Sequence, residues 1–476
     1  MNNFRKIGIV VLILSFVFGL AACNNTERTG GDEIYVTVVD AGFGSEWMEA
    51  AADTYTEKTG VEVFVTADPD AMSTVNTIMG TNAEKEDLYF TATSAENLNK
   101  WAKNKFLEPL DDILSDTTYG TEATTRVADD TLLKLGKVDE AVYAIPYIYS
   151  NWGLIYNSAL LEKIDSYGEY TKGEFPKTMQ GLIDLCTATK NANLKNDVTG
   201  RIVSPFSCGI SVLYMDNLFY ALWYQQDPAS WRAFFDQNNP DAFDRSTFDN
   251  ETVREAISWV YDLMNPQKVN ENGQEVIKTN MVSTAQNNTE SQTSFINGDC
   301  VFTFCGTWFE TEMDQILTET GMSTYHYAAY PTIAGGDKVY SQPNLPGEMF
   351  IIPSDAYNVA GAKDFVKFLL SEEGVAVASE TLSQPLCFST DKQVQFTRFG
   401  EEIRNSLSNA EIFYKYSDND VFSTGALTIF KSPNPFSKMA NCEFGSNKTT
   451  IIEAMVKAET DTLAAYWTSY TQALED

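Results

Sequence analysis

The stretch from residue 33 to residue 66, EIYVTVVDAGFGSEWMEAAADTYTEKTGVEVFVT, decides the fold class of this chain. Glu33 to Val39 alternates between apolar and polar residues as a strand does, and Ser45 is placed to cap a helix over Glu46 to Lys58. Thr59-Gly60 ends that helix, and Val61 to Thr66 is a second strand. Three apolar side chains recur every four residues on one face of the helix: Trp47, Ala51 and Tyr55. The stretch is therefore a β-α-β unit, and we assign Trp47 to its core.

The same alternation continues beyond this unit. A helix is predicted from Met72 to about Ala83, and a short strand from Leu88 to Thr91. Helices and strands that alternate in this way indicate an α/β fold with a parallel sheet. Ligands of open α/β sheets lie beyond the carboxyl ends of the strands. We therefore expect residues 40–46 and 91–96 to face a ligand.

The chain begins with a segment that predicts export. Arg5 and Lys6 precede an apolar run from Ile7 to Leu20, which is typical of a signal peptide. Leu20-Ala21-Ala22-Cys23 is a lipobox, so we expect residues 1–22 to be a lipoprotein signal peptide and Cys23 to carry diacylglycerol and a further acyl chain. Residues 23–32 form a lipidated tether. These features predict a protein anchored by lipid on the extracellular face of a bacterial cell membrane.

Length and charge limit the number of domains and the kinds of ligand that the remaining chain can have. About 450 residues follow the tether, which is too many for one compact core, so at least two domains are expected. With 66 acidic and 33 basic residues the formal net charge is −33. This charge argues against nucleic-acid binding and against a polybasic hold on anionic lipid, and it is compatible with a cationic ligand.

The cysteines and the single histidine give no sign of a metal or another cofactor. Beyond Cys23, the cysteines show no CxxC spacing: Cys186, Cys208, Cys300, Cys305, Cys387 and Cys442. We interpret them as buried free thiols, with one or two disulfides left open. His326 lies in the strand-like Tyr325 to Tyr330, where a structural role is expected.

The remaining elements follow the same signals. Strands are predicted at Ala141 to Ile145, Trp152 to Asn157, Cys300 to Cys305, Tyr325 to Tyr330 and Met349 to Ile352. Helices are predicted from Thr178 to about Lys190, at 213–226, 250–265, 289–297, Ala356 to Leu370, 400–415 and 449–472. Asn265 to Asn288 is polar with little periodicity and is predicted to be a surface loop.

Five short motifs in order resemble one family. They are Glu57 to Val63 (EKTGVEV), Tyr143 to Asn157 (YAIPYIYSNWGLIYN), Pro176-Lys177-Thr178, Phe295-Ile296-Asn297-Gly298 with Gly306-Thr307-Trp308, and Phe365 to Ser371 with Glu373-Gly374. Together they resemble the extracellular solute-binding proteins of bacterial ABC importers, in the cluster that contains maltose-binding protein. Residues 390–450 match no part of that pattern.

The resemblance implies a two-lobed periplasmic-binding-protein-like fold of type II, with discontinuous lobes joined by a hinge. Lobe I would comprise residues 33–145 and 350–385, and lobe II residues 146–349 and 386–476. The chain would cross between the lobes near Pro146 to Ser150 and near Gly347 to Ile352. It further implies a small-molecule solute held in the cleft, an ABC permease as the partner, no catalysis, and, we expect, a monomer.

Sugars present flat C–H faces and many hydroxyls, so their sites need aromatic platforms and polar side chains. Trp308 matches the position where the family places a stacking tryptophan. Tyr147 and Trp152 lie at the expected hinge mouth, as core or as ligand contacts. Asp40 and Glu46 are hydroxyl acceptors or solvated carboxylates, and Ser94 lies where the family often has a charged pair. Glu348 and Tyr214, near the expected crossings, complete the candidate ligand-binding residues.

Three functions stay open at this stage. The leading one is capture of a mono- or oligosaccharide for uptake. The second is the same fold binding a non-sugar solute such as a polyamine, which cleft carboxylates beside aromatic walls would favour. The third is a lipid-anchored surface glycoside hydrolase, since 66 acidic residues allow a catalytic pair. No GxSxG motif or local partner for His326 indicates a nucleophilic enzyme.

Overall fold

The computed structural model describes residues 33–209, 214–234, 248–335, 338–343, 347–414, 435–445 and 447–475. The predicted signal peptide and tether, with Cys23, lie outside these ranges. Within them, no helix combines the length and apolar character that crossing a membrane requires.

The helices and strands alternate along most of the chain. The helices are α1 Glu46–Thr59, α2 Ala71–Ile78, α3 Ala95–Lys103, α4 Asp111–Leu114, α5 Asp130–Lys134, α6 Ser158–Leu161, α7 Met179–Ala192, α8 Tyr214–Gln226, α9 Pro228–Phe234, α10 Glu251–Met264, α11 Asn288–Ile296, α12 Phe309–Glu312, α13 Asp314–Thr320, α14 Val359–Leu369, α15 Glu372–Leu382, α16 Arg398–Ser408, α17 Pro435–Ala440 and α18 Lys448–Glu475. The strands are β1 Glu33–Val39, β2 Glu62–Asp68, β3 Leu88–Ala92, β4 Lys137–Val138, β5 Ala141–Val142, β6 Ile145–Pro146, β7 Trp152–Asn157, β8 Ser204–Ser207, β9 Gln267–Glu271, β10 Gln274–Lys278, β11 Cys300–Gly306, β12 Tyr325–Ala328, β13 Val339–Ser341, β14 Glu348–Ile351 and β15 Ala410–Ile412.

The first sheet has the strand order β2-β1-β3-β14-β6. Strand β1 runs parallel to β2 and to β3, as the opening β-α-β unit predicts, whereas β14 runs antiparallel to β3 and to β6. Helix α1 packs on this sheet through Trp47, which lies 5.0 Å from Phe90 and 6.4 Å from Phe350 between ring centroids. The assignment of Trp47 to the core is confirmed, since only 1% of it is exposed.

The second sheet has the order β12-β7-β11-β8. Its central strands β7 and β11 are antiparallel, and β8 runs parallel to β11. Strand β11 is buried along its whole length, with the pattern CVFTFCG, because helices cover the sheet there. We call the part of the chain built on each sheet the first lobe and the second lobe.

Among the residues described, three segments of the chain pass between the two lobes. The first joins β6 to β7, the second leads from β12 to β14, and the third joins α15, which packs on α1, to α16, which packs on β12. Isolated bridges tie them together, because Asn151 of the first pairs with Pro343 of the second and Ile148 pairs with Leu386 of the third. The residue limits given above for the lobes stay a prediction.

The prediction of a loop over Asn265 to Asn288 is wrong. Strands β9 and β10 form an antiparallel hairpin in which Glu271 pairs with Gln274. The two residues between them, Asn272 and Gly273, both have positive φ, at 53° and 84°. Asn-Gly is the preferred pair for this turn, so the signal was present in the sequence and outweighs the polar composition.

The prediction of a helix over 400–415 is wrong at both ends. Thr397 caps α16, which begins at Arg398 and ends at Ser408. Ala410–Ile412 then forms β15, which pairs parallel with β13. Pairing with a distant strand overrides the helical pattern of this stretch. Helices α2 and α14 are shorter than predicted, and most other predicted elements are present.

Candidate functional site

One edge of the first sheet gathers three of the residues that the sequence nominated. Val38 of β1 pairs with Phe90 of β3, so Asp40 and Ala92 lie level, two residues further on. Glu348 pairs with Ala92 from the other side. Asp40, Ser94 and Glu348 thus belong to the same edge, where the parallel strands β1 and β3 end. The rule for ligand position in α/β sheets therefore selects this edge.

One edge of the second sheet gathers three more of the nominated residues. Trp152 opens β7 and pairs with Gly306, the last residue of β11. Trp308 follows two residues later, and Tyr214 opens α8 after β8. Trp308 can fold back over its strand because Gly306 has no side chain. A Cβ at Gly306 would lie only 2.1 Å from Cζ3 of the indole and 2.6 Å from the Asn151 carbonyl oxygen.

Trp152, Trp308 and Tyr214, with Phe43 of the first lobe, form what we call the aromatic cluster. The Trp152 and Trp308 ring centroids lie 4.8 Å apart with planes at 88°, and Trp152 and Tyr214 lie 4.9 Å apart at 81°. Such edge-to-face contacts are the arrangement that aromatic rings prefer. Only 6% of the surface of Trp308 and 9% of that of Trp152 are exposed to solvent.

The aromatic cluster is also where the lobes meet. Phe43, in the turn between β1 and α1, lies 6.4 Å from Trp308 with ring planes at 81°. A Cβ on Gly42 would lie 3.7 Å from the Trp308 Cβ, which is van der Waals contact. The edges of the two sheets therefore face one another across Trp308.

Polar groups surround the second-lobe side of the cluster. Burial raises the pKa of the Tyr214 hydroxyl, and the nearby Cys305 and Glu312 raise it further, while a hydrogen bond with Trp308 opposes the shift. The hydroxyl therefore stays protonated and can donate. Gln292 donates from Nε2 to Glu312 at 2.8 Å, and its own Oε1 is buried without a hydrogen-bond partner.

A cavity of about 720 Å³ adjoins the cluster, and we call it the acidic cavity. The first lobe contributes residues 40–47 apart from Ala41 and Gly42, and the second lobe contributes α12, α13 and the start of β12. Its described lining includes four carboxylates and no Lys or Arg: Asp40, Glu46, Glu310 and Asp314. Hydroxyls of Ser and Thr make up much of the remainder.

Glu310 is held in place on the cavity wall. It accepts hydrogen bonds from the Tyr325 hydroxyl at 2.5 Å and from Thr397 Oγ1 at 2.7 Å. The Ser383 hydroxyl in turn donates to Thr397 Oγ1 at 2.9 Å, and the Thr397 amide donates to Ser383 Oγ at 2.6 Å. This network links the helix after Trp308 to both ends of the third crossing segment.

The nominated residues thus divide into groups. Trp308, Trp152 and Tyr214 come together, and Asp40 and Glu46 lie exposed on the acidic cavity. Ser94 is exposed and caps α3, accepting the Asn97 amide at 3.1 Å.

Glu348 and Tyr147 have less solvent around them. Glu348 is partly buried, and loss of solvent raises the pKa of its carboxyl group. Tyr147 is fully buried between Trp47 and Phe350, and its hydroxyl donates to the Leu369 carbonyl at 2.8 Å. In this conformation Tyr147 has no surface free for a ligand.

Sequence reasoning missed Phe43 and Glu310. Phe43 lies within residues 40–46, which are expected to face a ligand, but its ring is not among the individually nominated contacts. Its place after β1, on the edge that binds ligands in α/β sheets, was the signal that an aromatic ring there faces the cleft. No sequence signal marks Glu310, because its partners Tyr325 and Thr397 are distant in the chain.

Neither the cysteines after Cys23 nor His326 belongs to the aromatic cluster or to the described lining of the acidic cavity. The six cysteines after Cys23 are buried and form no disulfide, and the described residues contain no group of three or more His, Cys, Asp or Glu that could hold a metal ion. His326 contacts Glu402 Oε1 at 2.7 Å through Nδ1 and Ser158 Oγ at 3.1 Å through Nε2, which fits a structural role.

The comparisons with known proteins agree with this architecture. A family model described as bacterial extracellular solute-binding protein matches residues 50–387, and no curated protein matches the sequence. Among solved structures, the GacH receptor of Streptomyces glaucescens GLA.O superposes with a TM-score of 0.60 at 16% identity, over 91% of this chain and 99% of that one. That receptor was solved unliganded and with acarbose and an acarbose homolog. At this identity the likeness shows the fold, which confirms the two-lobed prediction. Since the family model spans most of the chain, this protein belongs to the bacterial extracellular solute-binding proteins.

Proposed function

We propose that this chain is the binding component of an ABC importer and captures a mono- or oligosaccharide in the cleft between its lobes. The observation that carries the proposal is the aromatic cluster, because it places Trp308 where the edges of the two sheets meet. An indole ring matches the flat C–H face of a sugar ring, and the hydroxyls of the adjoining cavity match its polar rim. The structural neighbour GacH, solved with acarbose, is consistent with this choice.

Closure of the cleft is the mechanism. A solute that touches both lobes stabilises the closed form by its differential affinity for that form. The three crossing segments, tied by the Asn151–Pro343 and Ile148–Leu386 bridges, are where the backbone would bend. The closed protein would then dock on the permease, which supplies the ATP chemistry.

We assign the contacts as follows. Trp308 is the stacking platform, Trp152 and Tyr214 hold it edge-on, and Tyr214 offers a hydroxyl donor. From the first lobe, Asp40 and Glu46 accept hydrogen bonds from solute hydroxyls, with Ser94 and Glu348 further along the same edge. The lipid on Cys23 would keep the protein beside its permease at the extracellular face of the membrane.

A cationic solute, such as a polyamine, is the second candidate. It is favoured by the four carboxylates on the acidic cavity, which has no cation among its described lining residues. A sugar uses carboxylates as hydroxyl acceptors, whereas an amine pairs with them as charges. The two candidates therefore differ in salt dependence, since exposed ion pairs are screened at high ionic strength.

A thermal-unfolding screen of the full chain in mild detergent tests the proposal. The panel comprises neutral sugars including acarbose, polyamines and amino acids. A solute at a hundredfold excess over its Kd should stabilise the fold by about 2.7 kcal/mol. We expect a sugar to raise the midpoint equally at low and high salt. Stabilisation by a polyamine alone, lost in salt, would establish the second candidate, and no shift with any solute would refute both.

The same panel addresses the hydrolase alternative. The protein is incubated with each glycoside, and the products are separated by chromatography. Release of sugar from any glycoside, abolished by replacing one carboxylate of the cavity, would contradict a binding role.

A further inference from the structure

Phe43 stands between the acidic cavity and Trp308. The lining of that cavity includes Phe43, Gly44 and Trp47 from the first lobe and Glu310 and Thr311 from the second, but the side chain of Trp308 is outside it. The Phe43 ring nevertheless lies edge-on to Trp308. Phe43 therefore lies between the open cavity and the aromatic platform.

The other rings around Trp308 belong to its own lobe. Trp152 begins a central strand of the second sheet, and Tyr214 begins a buried helix. Neither can leave Trp308 without disturbing the second sheet or α8. Phe43 alone among these rings comes from the first lobe, so that its contact with Trp308 is broken whenever the lobes separate.

The turn that carries Phe43 has a backbone conformation that favours glycine on both sides of the ring. Gly42 and Gly44 flank it with φ of 57° and 61°, values that side chains rarely adopt. The turn is anchored on its far side, where Trp47 Nε1 donates to the Gly44 carbonyl at 3.1 Å. Displacement of the Phe43 ring would therefore not require α1 to move, because this bond holds the start of the helix beyond Phe43.

We propose that Phe43 is a gate that competes with the solute for Trp308. It closes edge-on against the indole, and a ring of the solute reaches Trp308 only when Phe43 has been displaced, which joins the acidic cavity to the platform. The part of this inference that concerns the solute rests on the proposed function. The contact between Phe43 and Trp308 does not depend on that function. A gate and a residue of the binding-site wall predict opposite effects on affinity. Removal of a gate raises the affinity for the solute, whereas removal of a wall residue lowers it.

The first test needs no solute. Acrylamide quenching of tryptophan fluorescence is compared between the wild-type chain and Phe43→Ala, with Phe43→Leu as the variant that keeps apolar bulk. We expect greater quenching in Phe43→Ala, and no such increase when Trp308→Phe is added. Phe64→Ala is the matched control, because Phe64 is 43% exposed and stacks on Tyr35 away from the cleft. Equal quenching in the wild type and both Phe43 variants would overturn the gate.

The second test uses acarbose and the solute panel by calorimetry. Loss of an edge-to-face ring contact should raise affinity on the order of two- to tenfold in Phe43→Ala. Weaker binding in that variant would show Phe43 to be a wall and would overturn the proposal. If nothing binds the wild type, the proposed function fails, while the quenching result still decides whether Phe43 covers Trp308.

Discussion

Trp308 can occupy its place in the cleft because Gly306, two residues earlier, has no side chain. Gly306 leaves room for the indole to fold back over the end of β11, where a Cβ would lie only 2.1 Å from the ring. Trp152 then fixes the ring from the side. The indole is thus positioned by one glycine and one neighbouring ring, and we expect its contribution to binding to be large.

We expect Trp308→Ala to weaken solute binding by about tenfold to a hundredfold, since buried aromatic anchors contribute about 1.4–2.8 kcal/mol or more. Titration calorimetry with the solute found in the screen measures this. Trp259→Ala is the matched control, because Trp259 is partly buried on α10, away from the cleft. Unchanged affinity in Trp308→Ala would remove the stacking platform from the proposal.

Glu348 should make stability depend on pH. Loss of solvent raises the pKa of its carboxyl group above the ordinary 4.5 in the folded protein. Below that value the group is protonated in both states and costs nothing. As the pH rises, the unfolded chain ionises first, so the folded state loses stability until its own pKa is passed. Glu348→Gln should therefore be more stable than the wild type at pH 7 and equal to it at pH 4.

Urea unfolding at the two pH values checks this expectation. Glu57→Gln, at an exposed position of α1, serves as the control for loss of one negative charge. A Glu348→Gln variant that gains no stability at pH 7 would show that the carboxylate is adequately solvated in the folded protein.

At the scale of elements, the start of α16 holds the third crossing segment in place. Thr397 Oγ1 accepts the Gly400 amide at 3.1 Å as a helix cap and also binds Ser383 and Glu310. Gly400 itself packs on the Ser383 carbonyl, where a Cβ would lie only 2.1 Å away. The cap therefore joins the end of α15 to the start of α16.

Thr397→Ala should destabilise the fold by about 1–2 kcal/mol, because it removes a helix cap together with two side-chain hydrogen bonds. Denaturant unfolding gives the difference. Ser45→Ala is the paired control: Ser45 occupies the cap position of α1 but accepts no helix amide. If both variants lost the same free energy of unfolding, the hydrogen bonds of Thr397 would contribute no more to stability than the hydroxyl of Ser45.

At the scale of the whole molecule, the described residues form two lobes joined by three segments, a fold that suits a solute-binding protein. The contact of Phe43 with Trp308 lies where the lobes meet, so the proposed opening and closing of the cleft would break and form it. A formal net charge of −33 makes copies of the chain repel one another, which is consistent with the monomer that we expect. We propose that the N-terminus determines the place of the protein in the cell.

We expect Cys23→Ala to release the protein from the membrane into the medium, since the tether then carries no acyl chain. Cell fractionation with labelled palmitate measures both retention and lipidation. Asn24→Ala, which keeps the thiol, should stay labelled and bound. Membrane retention of unlabelled Cys23→Ala would indicate an uncleaved anchor helix instead.

The sequence by itself determined the local architecture. Alternation in Glu33 to Val39, the cap and stripe of α1, and the motif order predicted parallel strands β1 to β3 and the two-lobed family, because periodicity and turn chemistry act over a few residues. The same reasoning misread Asn265 to Asn288 only because it gave composition more weight than the Asn272-Gly273 turn.

Only the tertiary structure decided which nominated residues meet. Tyr147 and Trp152 are five positions apart, yet one fills the core under Trp47 and the other lies against Trp308. Phe43 and Glu310 gain their places from partners more than 80 residues away, such as Trp308 and Thr397. The physical reason is that an exposed edge and a buried face have the same local pattern, and only the packing of one sheet edge against another distinguishes them.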